Sequence, residues 1–251
     1  MKLKAAVFDF DGTLFDSMYV WDTAGERYLR SVGKTPAPTV RDDIAPLSLH
    51  QAACFFQEAY ALDLPVAEIM AGINRTIEQA YFHEILPKPG VAAFLDDLQR
   101  AGVAMCIATA TDRYLVSAAL ERCGLAGRFS GLFTCSEVGH GKDEPHIFRR
   151  AMESLGADRS STIVFEDAYH AIRTAKGDGF LTAAVFDPSE ARQDAMRSLG
   201  DCYLTDYAHT EPFWKLAAAD RAARFGRQTG GTTLCRQDGS SDFRVSAKKE
   251  K

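Results

Sequence analysis

Short apolar runs alternate with helical patterns along much of the chain. Four of these runs have the length and character of buried parallel strands, at residues 5–8, 103–108, 162–165 and 181–186. Between them, apolar residues recur at helical spacing around 90–100, from 112 to a glycine stop at 124, and from 145 to 156. Strands and helices in alternation predict an α/β layer fold with a parallel sheet.

Residues 17–88 break this alternation, because they show helical periodicity without convincing strands. Apolar stripes begin at Trp21, Ala52 and Ile69, and each continues along one helical face. We therefore expect an all-helical insertion after the first strand, where it can cover whatever lies at that strand's end. The predicted organisation is an α/β core at residues 1–16 and 89–220, the helical insertion at 17–88, and a disordered tail at 221–251, which is rich in turn formers and charge.

Composition and charge narrow the class of protein. Of the 251 residues, 46% are hydrophobic and 25% are charged, which is usual for folded domains and argues against a fibrous or disordered protein. The net charge is −5, but residues 221–251 hold 8 basic and 3 acidic residues, so the tail is basic and the rest strongly acidic. An acidic body offers no general footprint for nucleic acid.

Targeting signals and cysteine pairs are not evident in the sequence. No run approaches the ~18 apolar residues of a membrane span, and no positive leader precedes an apolar run. The six cysteines form no C-x-x-C pair, so we interpret them as reduced thiols. We therefore expect a cytoplasmic protein without a membrane or nucleic-acid partner.

The strongest chemical signal follows the first strand. Asp9 and Asp11 lie two residues apart, and the repulsion between their carboxylates calls for a shared cation or proton. Mg²⁺ fits because it prefers hard oxygen ligands and commonly combines one or two carboxylates with a substrate phosphate. Gly12 allows a tight turn whose amides can face an anion. For an Asp-Gly pair alone, a surface turn that ends the strand is an adequate explanation.

Three further polar features lie at or near the ends of other predicted strands. Thr109 follows the second strand, Lys142 lies in a loop, and Glu166 with Asp167 follows the third strand. In open α/β sheets, ligands bind in the crevice at the carboxyl ends of the strands, so these side chains should converge. Together they suit a phosphate, with hydrogen bonds from Thr109, charge from Lys142, and acids that bind Mg²⁺.

These motifs together resemble the haloacid dehalogenase superfamily of aspartate-nucleophile hydrolases. The resemblance rests on DFDGTLFD at 9–16, Thr109, Lys142 and FED at 165–167, in that order, and covers about residues 1–205. The helical insertion is similar to the helical cap of the subgroup with phosphoglycolate phosphatase and β-phosphoglucomutase. The resemblance implies a Rossmann-like three-layer core with an inserted cap domain.

The resemblance also implies roles for the acidic residues. Asp9 would attack phosphorus to form an aspartyl-phosphate, and Asp11 would act first as general acid and then as general base. Asp9, the backbone carbonyl of Asp11, and Asp167 would ligate Mg²⁺. Glu166 would contribute directly or through water, and the sequence leaves both possibilities open.

The remaining motif residues would bind the transferring phosphoryl group, and they are Gly12, Thr109 and Lys142. The resulting hypothesis is a Mg²⁺-dependent phosphatase that acts on a small phosphorylated metabolite. A phosphomutase of the β-phosphoglucomutase type is an alternative, because it shares all four motifs. A non-catalytic protein that binds a phosphate ligand is an alternative of another class, and the complete set of catalytic residues argues against it.

Some features depart from the family pattern. Phe165 and Ala171 stand where the motif around Glu166 usually has glycines. The family's dehalogenases typically lack the second aspartate of the first motif, so the presence of Asp11 favours phosphate over halide. Members that cleave phosphonates use a lysine of the cap, and Lys34 is the one lysine within residues 17–87, beside a proline-rich turn.

Side chains outside the motifs give weaker predictions. Asp16 and Ser17 suit capping of the helix that leads into the insertion, since both residue types favour that position. The segment 44–50 is the best candidate for a specificity loop, with Trp21 and Arg41 as candidate substrate contacts. Helix packing for Trp21 and a solvated charge cluster for Arg41 are the simpler interpretations.

Overall fold

Six parallel strands form the central sheet of the computed structural model, which describes residues 3–44, 47 and 49–219. In chain order the strands and helices are β1 (Ala5–Phe8), β2 (Phe15–Asp16), α1 (Met18–Ser31), α2 (Val40–Ile44), α3 (Leu49–Ala59), α4 (Val66–His83), β3 (Leu86–Pro87), α5 (Val91–Arg100), β4 (Ala104–Thr109), α6 (Arg113–Arg122), β5 (Leu132–Thr134), α7 (Cys135–Val138), α8 (His146–Ser154), β6 (Thr162–Glu166), α9 (Tyr169–Gly177), β7 (Leu181–Val185), α10 (Gln193–Leu199), β8 (Cys202–Leu204) and α11 (Glu211–Ala218). The order across the sheet is β5-β4-β1-β6-β7-β8, so β1 lies between β4 and β6. The predicted α/β fold with a parallel sheet is confirmed.

Side chains on β1 alternate between two buried layers. Val7 belongs to a cluster with Ile147 and Phe148 of α8. Phe8 belongs to a larger cluster that includes Phe94 of α5, and its ring stacks on Phe165 with centroids 4.3 Å apart. Because helices cover both faces, the strands are continuous apolar runs rather than alternating ones. This arrangement confirms the Rossmann-like three-layer core.

Four strands were absent from the sequence-based prediction. β5 and β8 have three residues each and lie at the two edges of the sheet, so they are too short to show a periodic signal. β2 and β3 form an antiparallel pair, in which Phe15 lies opposite Pro87 and Asp16 opposite Leu86. β3 lies within residues 17–88, where we expected helices alone. This pair joins the two chain segments that lead into and out of the insertion.

Helices α1 to α4 account for the apolar stripes of residues 17–88. Helices α1 and α4 approach closely where Gly72 meets Tyr28, since a Cβ on Gly72 would lie 2.2 Å from the tyrosine ring. Trp21 departs from the packing interpretation, because 41% of its surface is exposed. Residues 1–218 form one compact unit, so the division into a core and a cap domain at residues 16/17 and 88/89 stays a prediction.

Helix α4 also contacts α6, the helix that follows strand β4 of the central sheet. The hydroxyl of Tyr114 donates a 2.9 Å hydrogen bond to Glu78 of α4, and Arg122 donates to the backbone carbonyl of Ile85, two residues after α4 ends. Among the described residues, no helix combines the length and apolar character needed to cross a membrane. The tail predicted at 221–251 lies outside the described residues.

Candidate active site

The turn that follows β1 brings Asp9 and Asp11 to the carboxyl edge of the sheet. Both residues are 8% exposed, and the backbone N–H of Asp9 donates to the carbonyl of Phe165 on the neighbouring strand. Gly12 adopts a φ of +69°, and a Cβ there would lie only 2.3 Å from Asp167 Oδ2. A glycine is required because the turn needs this conformation and because the Asp167 carboxylate approaches its backbone closely.

Lys142 reaches the same edge from the loop between α7 and α8. Its Nζ lies 2.5 Å from Asp9 Oδ1 and 2.6 Å from Glu166 Oε1, and the side chain is almost fully buried. Burial lowers the pKa of Lys142, but the carboxylates of Asp9 and Glu166 outweigh this effect and raise it above its ordinary value. Lys142 is therefore a fixed positive charge between two buried acids.

Three carboxylates crowd together beside this lysine. Oxygen atoms of Asp9, Glu166 and Asp167 all lie within 4.8 Å of one another. Burial, then the Asp9 charge, raise the pKa of Asp167 to about 7, although Thr13 donates a 2.8 Å hydrogen bond to it. Burial also raises the pKa of Glu166, and Lys142 offsets part of that rise. The single positive charge of Lys142 thus compensates only part of the negative charge of the three buried acids.

The same cluster has the chemistry of a hard-cation site. Glu166 is fully buried and its Oε2 atom has no hydrogen-bond partner among the described residues, which is costly for a carboxylate oxygen. Carboxylate oxygens are the ligand type that Mg²⁺ selects, and a divalent cation would also offset the surplus negative charge. Asp9, Glu166 and Asp167 therefore fit the magnesium that the sequence predicts.

Asp11 accepts hydrogen bonds at both carboxylate oxygens. The hydroxyls of Ser17 and Tyr81 donate to Oδ1, with the serine at 2.6 Å, and the hydroxyl of Thr111 donates to Oδ2 at 2.6 Å. Burial, and next the Asp9 charge, raise the pKa of Asp11, while the three hydrogen bonds lower it. A carboxyl group with a raised pKa is suited to donate a proton and then to accept one.

These residues line a cavity of about 490 Å³ at the carboxyl edge of the sheet. Six of the seven predicted site residues contribute to its wall, namely Asp9, Asp11, Thr109, Lys142, Glu166 and Asp167. Gly12 is the exception, and its N–H donates to the carbonyl of Phe15 within the turn. Phosphate binding by the Gly12 amide stays a prediction, and the structure shows that the missing side chain leaves the space that Asp167 occupies.

Comparison with known proteins identifies the family. A model of the haloacid dehalogenase-like hydrolases matches residues 3–179, which is more than half of the chain. The chain belongs to the haloacid dehalogenase-like hydrolase family. The resemblance drawn from the four motifs is therefore confirmed, and so is the prediction of a hydrolase.

Relatives of this hydrolase carry phosphatase names, and a solved structure with a similar fold is named as a candidate mutase. Pyrophosphatase PpaX of Bacillus velezensis is 28% identical over 73% of this chain and 83% of its own. Phosphoglycolate phosphatase of Agrobacterium fabrum is 28% identical over 87% of this chain and 96% of its own. A candidate β-phosphoglucomutase from Thermotoga maritima has a solved structure with a TM-score of 0.75 and 21% identity, covering 85% of this chain and 99% of that one. The structural likeness concerns the fold.

The residues predicted to cap α1, Asp16 and Ser17, lie at the end of the first motif and directly after it. Ser17 occupies the N-cap position, but its hydroxyl makes no capping hydrogen bond and donates to Asp11 instead. Asp16 is exposed and lies in β2. The capping prediction was wrong for the Ser17 side chain, because a buried carboxylate accepts from the hydroxyl more strongly than a backbone amide would.

Three residues at the candidate site of this hydrolase were missed by the sequence analysis. Tyr81 and Thr111 donate to Asp11, and His170 of α9 lines the cavity. Thr111 follows Thr109 by two residues at a strand end, which was a usable signal. Tyr81 was placed on an apolar stripe, and nothing in the local pattern indicated that its hydroxyl reaches a carboxylate 70 residues away.

Trp21 lines this cavity and also a second one of about 400 Å³ inside the helical insertion. Arg41 lines the second cavity and not the first. Of the predicted specificity segment 44–50, residues 45, 46 and 48 lie outside the described residues. Substrate contact by Trp21 and Arg41 stays a prediction.

Proposed function

We propose that this protein is a Mg²⁺-dependent phosphatase that hydrolyses a small phosphomonoester through an aspartyl-phosphate on Asp9. One observation carries the proposal: the Asp9 carboxylate lines an open cavity, with Lys142 Nζ at 2.5 Å and Asp11 on the same turn. Membership of the family supports hydrolysis. The names of relatives, among them a phosphoglycolate phosphatase and a hexitol phosphatase, support small phosphorylated substrates.

Two displacements at phosphorus complete the proposed reaction. In the first, an oxygen of Asp9 attacks phosphorus, the bond to the leaving oxygen breaks, and the proton of Asp11 moves to that oxygen. In the second, water attacks phosphorus and gives its proton to Asp11, and the bond between phosphorus and Asp9 breaks. Inorganic phosphate leaves, and both aspartates return to their starting states.

The remaining site residues bind and orient the phosphoryl group. Lys142 supplies charge and hydrogen bonds to its oxygens, and Thr109 donates through its hydroxyl. Asp9, Asp167 and the backbone carbonyl of Asp11 would hold Mg²⁺, with Glu166 as a direct or water-mediated ligand. When bound, the ion supplies positive charge against the phosphate oxygens.

The phosphomutase alternative uses the same first displacement. It differs in the second, where a sugar hydroxyl rather than water takes the phosphoryl group from Asp9. A non-catalytic binding protein would need neither displacement, and the convergence of Asp9, Asp11 and Lys142 argues against it. A cytoplasmic location stays a prediction from the sequence.

Phosphate release from a panel of monoesters tests the proposal. The panel should contain phosphoglycolate, sugar phosphates, nucleotides and vitamin-related monophosphates, each with Mg²⁺ and with EDTA. We expect release that requires Mg²⁺ and that Asp9→Asn abolishes, while Asp16→Asn, an exposed aspartate on the same segment, retains it. Activity of Asp9→Asn at the wild-type rate would contradict the proposal. Activation by a sugar bisphosphate with little phosphate release would favour the mutase.

A further inference from the structure

A tyrosine on helix α4 of the insertion, Tyr81, contacts the proposed general acid, Asp11. Tyr81 is fully buried, and its hydroxyl donates to Asp11 Oδ1. The indole Nε1 of Trp21, on α1, lies 3.1 Å from the Tyr81 hydroxyl and donates to it. A directed chain of hydrogen bonds therefore runs from Trp21 through Tyr81 to Asp11.

The other donors to Asp11 come from outside α1 and α4. Thr111 lies between β4 and α6 and bonds Oδ2, and Ser17 precedes α1 and bonds Oδ1. Because both oxygens accept hydrogen bonds, the orientation of the carboxyl group is fixed. Proton transfer depends on such geometry, since small misplacements of a reacting group reduce rates strongly.

Packing explains the Tyr81 ring but not the aim of its hydroxyl. The ring stacks near Phe10 with centroids 6.1 Å apart, and it meets Trp21 edge-on at 6.2 Å. Phenylalanine would satisfy both contacts. A buried hydroxyl needs a partner, however, and here the partner is the carboxyl group proposed to transfer the proton.

We propose that Tyr81 is a positioning residue that fixes the Asp11 carboxyl group for proton transfer, and that Trp21 fixes Tyr81 in turn. This inference rests on the proposed phosphatase function. It means that helices α1 and α4 influence the chemical step through Asp11, in addition to covering the cavity. The geometry of the general acid then depends on how the insertion packs against the sheet edge.

The choice of leaving group separates positioning from packing. An alkyl phosphate needs a proton on its leaving oxygen, whereas dinitrophenyl phosphate expels a stable phenolate without one. The value of kcat/KM reports steps up to the first irreversible one, which is transfer to Asp9, so it isolates Asp11 acting as an acid. Loss of positioning should therefore reduce kcat/KM for alkyl phosphates and spare the dinitrophenyl ester.

The test compares Tyr81→Phe with wild type across phosphomonoesters of graded leaving-group basicity. We expect kcat/KM for alkyl phosphates to fall roughly ten- to a hundredfold, a part of the about 10²–10⁴-fold that general acid–base catalysis contributes. The dinitrophenyl ester should change less than about threefold, so the dependence on leaving-group basicity becomes steeper. Trp21→Phe should also make kcat/KM depend more steeply on leaving-group basicity, but by a smaller amount.

Matched controls keep this inference apart from the proposed function. Tyr60→Phe removes another tyrosine hydroxyl from the insertion, one that accepts from the Ala37 amide, and it should leave the dependence unchanged. An equal loss on all esters in Tyr81→Phe, or no loss, overturns the positioning role while the phosphatase proposal stands. If wild type hydrolyses none of the esters, or if Asp9→Asn retains wild-type activity, the phosphatase proposal itself fails. Should Tyr81→Phe not fold, Trp21→Phe provides the same comparison.

Discussion

The carboxyl edge of the sheet and the helical insertion contribute to one cavity in different ways. At the edge, Asp9, Thr109 and Asp167 each lie at the end of a strand or one residue after it, so chain position alone puts them together. In the insertion, Tyr81 reaches Asp11 across 70 residues of sequence, and only the packing of helices brings the two together. The stability of the edge thus depends on the balance of charge among its buried groups. The stability of the insertion depends on how closely its helices pack.

Removal of the buried lysine should produce the largest loss of stability at the edge. Lys142→Met leaves Asp9 and Glu166 without their shared counter-charge. We expect the free energy of unfolding of the metal-free protein to fall by about 3 kcal/mol, measured by urea denaturation. Lys176→Met breaks a more exposed pair with Asp201 and should cost less than about 1 kcal/mol. Similar losses of unfolding free energy in the two variants would contradict a stabilising role for the buried charge of Lys142.

Substitution of Gly12 tests the close approach of Asp167. Gly12→Ala places a methyl group where Asp167 Oδ2 now lies, so we expect Mg²⁺ affinity, measured by calorimetry, to fall about tenfold, or about 1.4 kcal/mol. Gly102→Ala is the matched control, because its φ of +73° imposes the same backbone strain but its new methyl group meets nothing within 4 Å. Unchanged Mg²⁺ affinity in Gly12→Ala would show that Asp167 is not a ligand.

Substitution of Gly72 tests shape in the insertion. Gly72→Ala would drive a methyl group into the Tyr28 ring at 2.2 Å, and the overpacking should outweigh the gain in helix propensity. We expect a net loss of about 1 kcal/mol in a thermal or urea melt. Gly177→Ala, in helix α9 with open space around it, should instead be neutral or stabilising by up to about 1 kcal/mol. A stabilised Gly72→Ala would contradict tight packing of α1 against α4.

A further expected effect is a pH dependence of stability that belongs to the edge. Asp167 has an ordinary pKa of 3.8 and a folded pKa of about 7, so the folded state binds more protons between these values. Stability of the metal-free protein should therefore fall as pH rises from about 4 to about 7. Urea melts across that range measure the effect. Mg²⁺ or Asp167→Asn should flatten the curve, and a rise in stability with pH would contradict the assigned burial.

The edge was predictable because its chemistry is local in sequence. A strand followed at once by Asp9 and Asp11, and another followed by Asp167, place carboxylates at one edge whatever the helices do. Lys142 was found through its motif rather than its spacing, since a loop fixes its position. Even here the hydrogen bonds were not predictable: the Ser17 hydroxyl bonds Asp11 instead of capping α1.

The insertion was predictable only as helices. Periodicity identified the buried side of α4 through Ile73 and Ile77, yet the same pattern assigned Tyr81 to packing. Trp21 shows the opposite error, because its stripe predicted burial and its ring is 41% exposed at the cavity. Which polar atom an aromatic side chain meets depends on how helices cross, and the sequence pattern does not contain that information.

The central claim is that Asp9 carries the phosphoryl group between the two displacements. Acid quench during turnover of a phosphomonoester, followed by peptide mass analysis, measures this directly. We expect the mass of one phosphoryl group on the peptide that contains Asp9, sensitive to hydroxylamine as an acyl phosphate is, and absent from Asp9→Asn. A phosphoryl group on another residue, or wild-type turnover by Asp9→Asn, would contradict the account.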